Sequence, residues 1–302
     1  MTALLHVISF GLGLLPEVLI RAGAVVFGAL WFHVIRYRRG VIEENLAQAF
    51  PELGPSEQSR LGRAACVHLL KTLAEVFRIP RYRKKGLGKV VRIEGLEHFH
   101  AAKAKGRGVF VLSGHLGSFE LCVAAVAEAA APVSLVVKPF PPAVDRFLAS
   151  IRKGSGLELI YADGAVRPIL RALNENETVV FVLDQNATRS TGVFVDFFNK
   201  PASTMTALAV IAERTGAAVI AAVPYRDEHG HHVLEIHPEI PLESKHNRLE
   251  TVQWMTQKYT HFLEQAICRH PDQWFWTHKR WRTRPVGMTE DLGSGDLPLI
   301  RG

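Results

Sequence analysis

The chain has 302 residues, and 36 Lys and Arg against 29 Asp and Glu give a formal charge of +7 with His neutral. With 48% hydrophobic and 22% charged residues and no internal repeat, it is neither a disordered tail nor a collagen-like or heptad array, and it can bury a sizeable core. Three scattered cysteines, Cys66, Cys122 and Cys268, exclude a disulfide framework and a thiolate zinc site of the usual spacing, and suit a reducing compartment.

Leu4 to Ile35 is mostly apolar, but Pro16, Glu17 and Arg21 interrupt it before a clean span of ~20 residues. It runs into Arg36, Arg38 and Arg39 with no small-residue cleavage site. This predicts an uncleaved membrane contact, with the basic residues on the anionic cytoplasmic side; a core helix over Leu14 to Ile35 is the bland alternative. Apolar residues three and four apart predict helix over Val41 to Ile79, broken at Pro51 and Pro55. The cations at Arg81, Arg83, Lys84, Lys85 and Lys89 read as a solvated face or as a surface for an anionic lipid or acidic protein.

From about Val90, short β-branched runs alternate with helices, which predicts an α/β fold with a largely parallel central sheet flanked by helices. Strands are expected at 108–113, 134–137, 157–161 and 178–183, with helices at 119–130, 143–153 and 165–174 between them. Ser203 or Thr204 is expected to cap a helix ending at Gly216. A strand pair over 218–225 and 232–237 and a long helix over 249–269 follow. The division expected is a membrane-associated segment over 1–39, a catalytic domain over 40–285 and a mobile tail over 286–302.

Ligands of open α/β sheets bind beyond the carboxyl ends of the strands, so polar residues just after strands are the first candidates. His115 sits in such a turn and Glu120 in the first turn of the next helix. The bend would let the carboxylate reach one imidazole nitrogen and leave the other free as a general base, while Gly114 and Gly117 permit close approach of a substrate. Asp184 and Gln185 end another strand, where the carboxylate either caps a turn or positions substrate and balances charge. No phosphate loop, dinucleotide fingerprint or Gly-x-Ser-x-Gly elbow is present, and the cluster His229, His231, His232 and His237 has hairpin rather than metal-site character. Gln273 to Arg284 interleaves aromatics with cations, as a nucleic-acid stack, a lipid headgroup site or a lock on the core would.

Taken together, His115 to Glu120, Asp184 with Gln185, Gly192 to Thr204, Ala212 to Ala217, Pro271 to Pro285 and Asn45 to Glu52 resemble the bacterial lipid A biosynthesis (late) acyltransferases, relatives of the glycerolipid and lysophospholipid acyltransferases. The resemblance implies a glycerolipid acyltransferase-like fold and transfer of a fatty acyl group from an acyl carrier protein thioester, or coenzyme A, to a hydroxyl of a phosphorylated lipid A precursor. Another glycolipid, glycerolipid or aminolipid acceptor is the alternative. It implies His115 as general base, Glu120 as its orienting partner, and substrate contacts at Gly117, Lys138, Asp184, Gln185 and Arg280. Backbone N–H groups near Gly117 would hold the oxyanion. No cofactor, metal or nucleic acid is implied, and the enzyme would sit on the cytoplasmic face of the cell inner membrane. Lys138 stands where such enzymes usually carry Arg, and a point charge replaces a bidentate fork there.

Overall fold

The computed structural model describes residues 1–285; the expected tail over 286–302 lies outside them. Helices α1 (Thr2–Leu14), α2 (Glu17–Leu30), α3 (Arg39–Ala49) and α4 (Pro55–Lys85) come first, with α2 prolonged by a π turn (Trp31–Ile35). There follow β1 (Val91–Glu94), α5 (Leu96–Lys103), β2 (Val109–Ser113), α6 (Phe119–Ala130), β3 (Val133–Val137), α7 (Pro142–Gly154), β4 (Leu157–Tyr161), α8 (Val166–Asn174) and β5 (Thr178–Val182). The remainder is β6 (Gly192–Phe197), β7 (Lys200–Met205), α9 (Ala207–Thr215), β8 (Ala218–Arg226), β9 (His232–Glu239) and α10 (Arg248–Arg269).

Seven strands form the central sheet in the order β1-β9-β8-β2-β5-β3-β4, and only the β8–β9 pair is antiparallel. β2 is buried at every position, as a strand covered on both faces must be. One face packs against α4, α5, α6 and α7, the other against α8, α9 and α10. After β2 the chain leaves through α6 towards β3, and after β5 it returns through α9 to β8 on the other side of β2. Connections that part in this way open a crevice at the carboxyl ends of β2 and β5.

The N-terminal apolar stretch is two helices, because Pro16 disfavours a helical Leu15, which is extended at φ −67°, ψ 142°. Both pack along α4, and the 19-residue run Glu17–Ile35 is long and apolar enough to cross a membrane by length and composition. Ser9, Gly13, Ala24 and Gly28 are buried, whereas Phe10, Val18, Val26 and Phe27 are each more than 60% exposed. Apart from Ile20, the residues that face the protein are small while large apolar ones face outward, the reverse of a helix on a water-exposed surface.

Four elements, β1, α5, β6 and β7, differ from the sequence expectation. β1 and α5 were hidden by their brevity, and β1 has an alternating pattern with only two apolar residues. Ser203 and Thr204 are not caps: they lie within β7, which pairs antiparallel with β6 across Phe198 and Asn199, both at positive φ. Thr206 takes the N-cap position of α9 instead. A third apolar cluster, with Phe32, Leu46, Phe197, Trp274, Trp276 and Trp281, joins this hairpin to the N-terminal helices and the C-terminal segment.

A Cβ on Gly28 would stand 2.7 Å from the Val67 backbone. Gly28→Ala is expected to force α2 from α4, destabilising by about 1–3 kcal/mol and lowering Tm by several degrees in thermal unfolding.

Candidate active site

β2 and β5 are parallel neighbours whose register pairs Ser113 with Val182, and the Leu183 N–H donates to the Ser113 carbonyl at 3.0 Å. The same register sets His115 and Asp184, each two residues further on, side by side. His115 Nδ1 donates to Asp184 Oδ1 at 2.7 Å. The His115 backbone N–H and the Trp274 indole N–H both donate to Oδ2 at 2.7 Å. With Nδ1 committed, Nε2 is the accepting nitrogen, and the Gln185 side-chain amide lies 3.3 Å from it. Phe119 meets the imidazole edge-on at 4.7 Å between ring centres.

Asp184 is only 3% exposed. Burial pushes its carboxyl up, but the His115 charge and the His115 and Trp274 donors outweigh it and bring the value down to about 2. The stability this carries is present above the ordinary value of 3.8 and is lost as pH falls towards about 2.

The imidazole opens onto a cavity of about 740 Å³. On one side of the sheet its walls are Leu69, Leu73 and Phe77 of α4 with Phe147 of α7 and Leu5 of α1. Phe181, Leu183 and Met205 line it on the other. Its size and apolar lining are those of a small-molecule or lipid site with a few convergent polar groups.

His115, Gly117, Glu120, Lys138 and Gln185 all line this cavity, with Lys138 exposed at its edge and Asp184 directly behind the imidazole. Two expected contacts are not the ones formed. Glu120 does not orient His115: its carboxylate is held by Arg152 of α7, Nε to Oε2 at 3.1 Å with a second contact from NH2 to Oε1. The bend after β2 turns the ring towards the end of β5, so Asp184 takes that position. Among the N–H groups near Gly117, its own donates to the Gln273 carbonyl at 3.2 Å. Arg280 does not line the cavity: it is 0% exposed, donates to the Ser203 carbonyl at 2.7 Å and to Thr204 Oγ1, and sits 5.0 Å from the Phe197 ring centre. Burial lowers its guanidinium to about 10 despite the Asp184 charge. With Trp276 and Trp281 also buried, the segment 273–284 locks the chain onto the β6–β7 hairpin.

Sequence reasoning missed Trp274 and Arg152. The pairing of β2 with β5 is the signal that would have joined Asp184 to His115. Nothing local marks Arg152, which meets Glu120 across 32 residues.

Asp184→Asn is expected to leave the fold intact and lower kcat by about three orders of magnitude, since the amide favours the wrong imidazole tautomer. Glu120→Ala is expected to strand the buried Arg152 charge and destabilise by about 3–5 kcal/mol, visible in denaturant unfolding.

Over residues 1–283 the chain matches the family of bacterial lipid A biosynthesis acyltransferases. It is 24% identical to the lipid A biosynthesis lauroyltransferase of Escherichia coli over 302 residues, which cover 95% of this chain and 96% of that protein. The palmitoleoyltransferase of lipid A biosynthesis from the same organism is 25% identical over 265 residues, 86% of this chain and 84% of its own. A phosphatidylinositol mannoside acyltransferase of Mycobacterium tuberculosis is 27% identical over 215 residues, 68% and 66% of the two chains. The match over residues 1–283 shows that the chain belongs to the bacterial lipid A biosynthesis acyltransferases, O-acyltransferases of lipid A assembly.

Proposed function

We propose that the protein moves a fatty acyl chain from an acyl carrier protein thioester to a hydroxyl of a phosphorylated lipid A precursor, with His115 as general base. The observation that carries this reading is the His115–Asp184 pair at the mouth of the 740 Å³ cavity, with the accepting nitrogen turned away from the carboxylate. The acyl chain lies among Leu69, Leu73, Phe77 and Phe147, where its methylenes leave water. The acceptor hydroxyl takes the place of the Gln185 amide beside His115 Nε2. As its oxygen attacks the thioester carbonyl, its proton passes to Nε2, and Asp184 balances the imidazolium. The tetrahedral oxyanion collapses, the carbon–sulfur bond breaks, and the thiolate takes the proton back. No acyl-enzyme is formed.

The oxyanion donors come from the first turn of α6, where N–H groups lack intrahelical acceptors and where Phe119 and Glu120 line the cavity. Lys138, at the cavity edge, attracts an acceptor phosphate. Glu120 acts by fixing Arg152, which keeps a guanidinium charge on the cavity wall. The outward apolar faces of α1 and α2, with the basic end of α4 at Arg83, Lys84 and Lys85, suit the cytoplasmic face of the inner membrane.

Detergent-solubilised protein, acyl carrier protein thioesters of graded chain length and a phosphorylated lipid A precursor are expected to give an acylated product by mass spectrometry. His115→Ala should reduce turnover by about 10²–10⁴-fold with the fold preserved. Transfer only to a phosphatidylinositol mannoside, or equal turnover in His115→Ala, overturns the acceptor or the base respectively.

A further inference from the structure

Beside the His115 turn lies a second group of buried polar side chains, two of which, His68 and Thr72, also line the cavity, and for which the proposed acyl transfer has no role. Arg226, the last residue of β8, and Glu75 of α4 are 8% and 4% exposed and form a bidentate pair, Nε to Oε1 at 3.2 Å with a second contact from NH2 to Oε2. The same guanidinium reaches His68 Nδ1 at 2.8 Å and Thr72 Oγ1 at 3.1 Å. Both of these residues end on one acceptor: Thr72 Oγ1 donates to the Gly117 carbonyl at 3.1 Å, and His68 Nε2 lies 3.2 Å from it. Arg226 NH1 also lies 3.0 Å and Thr72 Oγ1 3.2 Å from His68 Nε2; of the two tautomers, the one protonated at Nε2 accepts from Arg226 at Nδ1 and donates to the Gly117 carbonyl. Two parallel relays therefore run from one guanidinium to one peptide carbonyl, two residues from His115.

We propose that Glu75, Arg226, His68 and Thr72 form a positioning network that fixes and polarises the Gly117–Ser118 peptide at the head of α6. The inference rests on the reading that the His115 turn is the reacting centre. A carbonyl that accepts two hydrogen bonds strengthens the N–H of its own peptide as a donor, and that N–H belongs to the turn from which oxyanion donors come. Burial and the Arg226 charge push His68 well below its usual value, which keeps it in the neutral form the relay needs.

The fold alone gives little reason for this group. A buried ion pair is weak evidence for stability, and apolar residues of similar volume often serve a core as well or better. What the network adds is control of one peptide from three directions. Gly117 has φ +53°, and a Cβ there would stand 2.5 Å from the Pro224 carbonyl oxygen, so the turn closes against β8. Its N–H is held by the Gln273 carbonyl, and Gln273 exchanges two hydrogen bonds of 2.8 Å with the Arg226 backbone. The next residue, Trp274, bridges to Leu116 and donates to Asp184. Both halves of the His115–Asp184 pair are thus tied to the Arg226 node.

The test compares kcat and KM per folded protein for His68→Leu, His68→Gln, Thr72→Val and Thr72→Ser, beside the wild type and His115→Ala. Loss of one relay should lower kcat about tenfold in His68→Leu and Thr72→Val with KM unchanged. Gln accepts at one atom and donates at another, as neutral His does, and Ser keeps the hydroxyl, so both should recover most of the loss. Full kcat in the Leu and Val variants, or equal losses in the Gln and Ser variants, overturns the network while leaving His115 as the base. Full activity in His115→Ala would instead overturn the reading on which the network rests.

Discussion

A carboxylate with almost no contact with water is the constraint around which this site is organised. Asp184 stays ionised because three donors converge on it, and they arrive from two distant stretches of chain. His115 supplies two of them from the turn after β2, and Trp274 supplies the third from the segment that closes the core. Losing any one leaves a buried charge partly unanswered, so the sheet edge, the turn and the C-terminal segment are held to one geometry. The orientation of the imidazole is thus a by-product of satisfying the charge beneath it.

The second ionic pair near the cavity follows the same logic in a different place. Glu120 and Arg152 join the start of α6 to the end of α7, the two helices that flank β3. The pair sits on the wall of a cavity whose lining is mostly apolar, with His115, Lys138 and Gln185 among its polar groups. A carboxylate in the first turn of α6 also suits the helix dipole. Of the two acids near His115, Asp184 holds the imidazole and Glu120 holds Arg152.

The α/β class, the strands that carry the site and the turn holding His115 were legible because buried parallel strands and amphipathic helices have strong periodicities. β6 and β7 were not, since β7 reads Lys200 to Met205 with little apolar alternation and is fixed by Phe197, Phe198 and the tryptophans behind it. Gln185 follows from its position after a strand and Lys138 from the family resemblance, and both line the cavity. The role of Glu120 was misjudged for a physical reason: spacing along the chain measures reach only within one element, whereas partners across a sheet are set by register. Arg280 was misread because an aromatic and basic segment looks the same from sequence whether its cations face water or fill a core.

Helix α1 belongs to two environments at once. Leu5 forms part of the cavity wall, Ser9 and Thr2 bond to the backbones of α4 and α7, and Phe10 faces outward. The first dozen residues are therefore a partition rather than a tether. A larger or smaller side chain at position 5 would therefore change the cavity volume from the helical side, with the strands untouched.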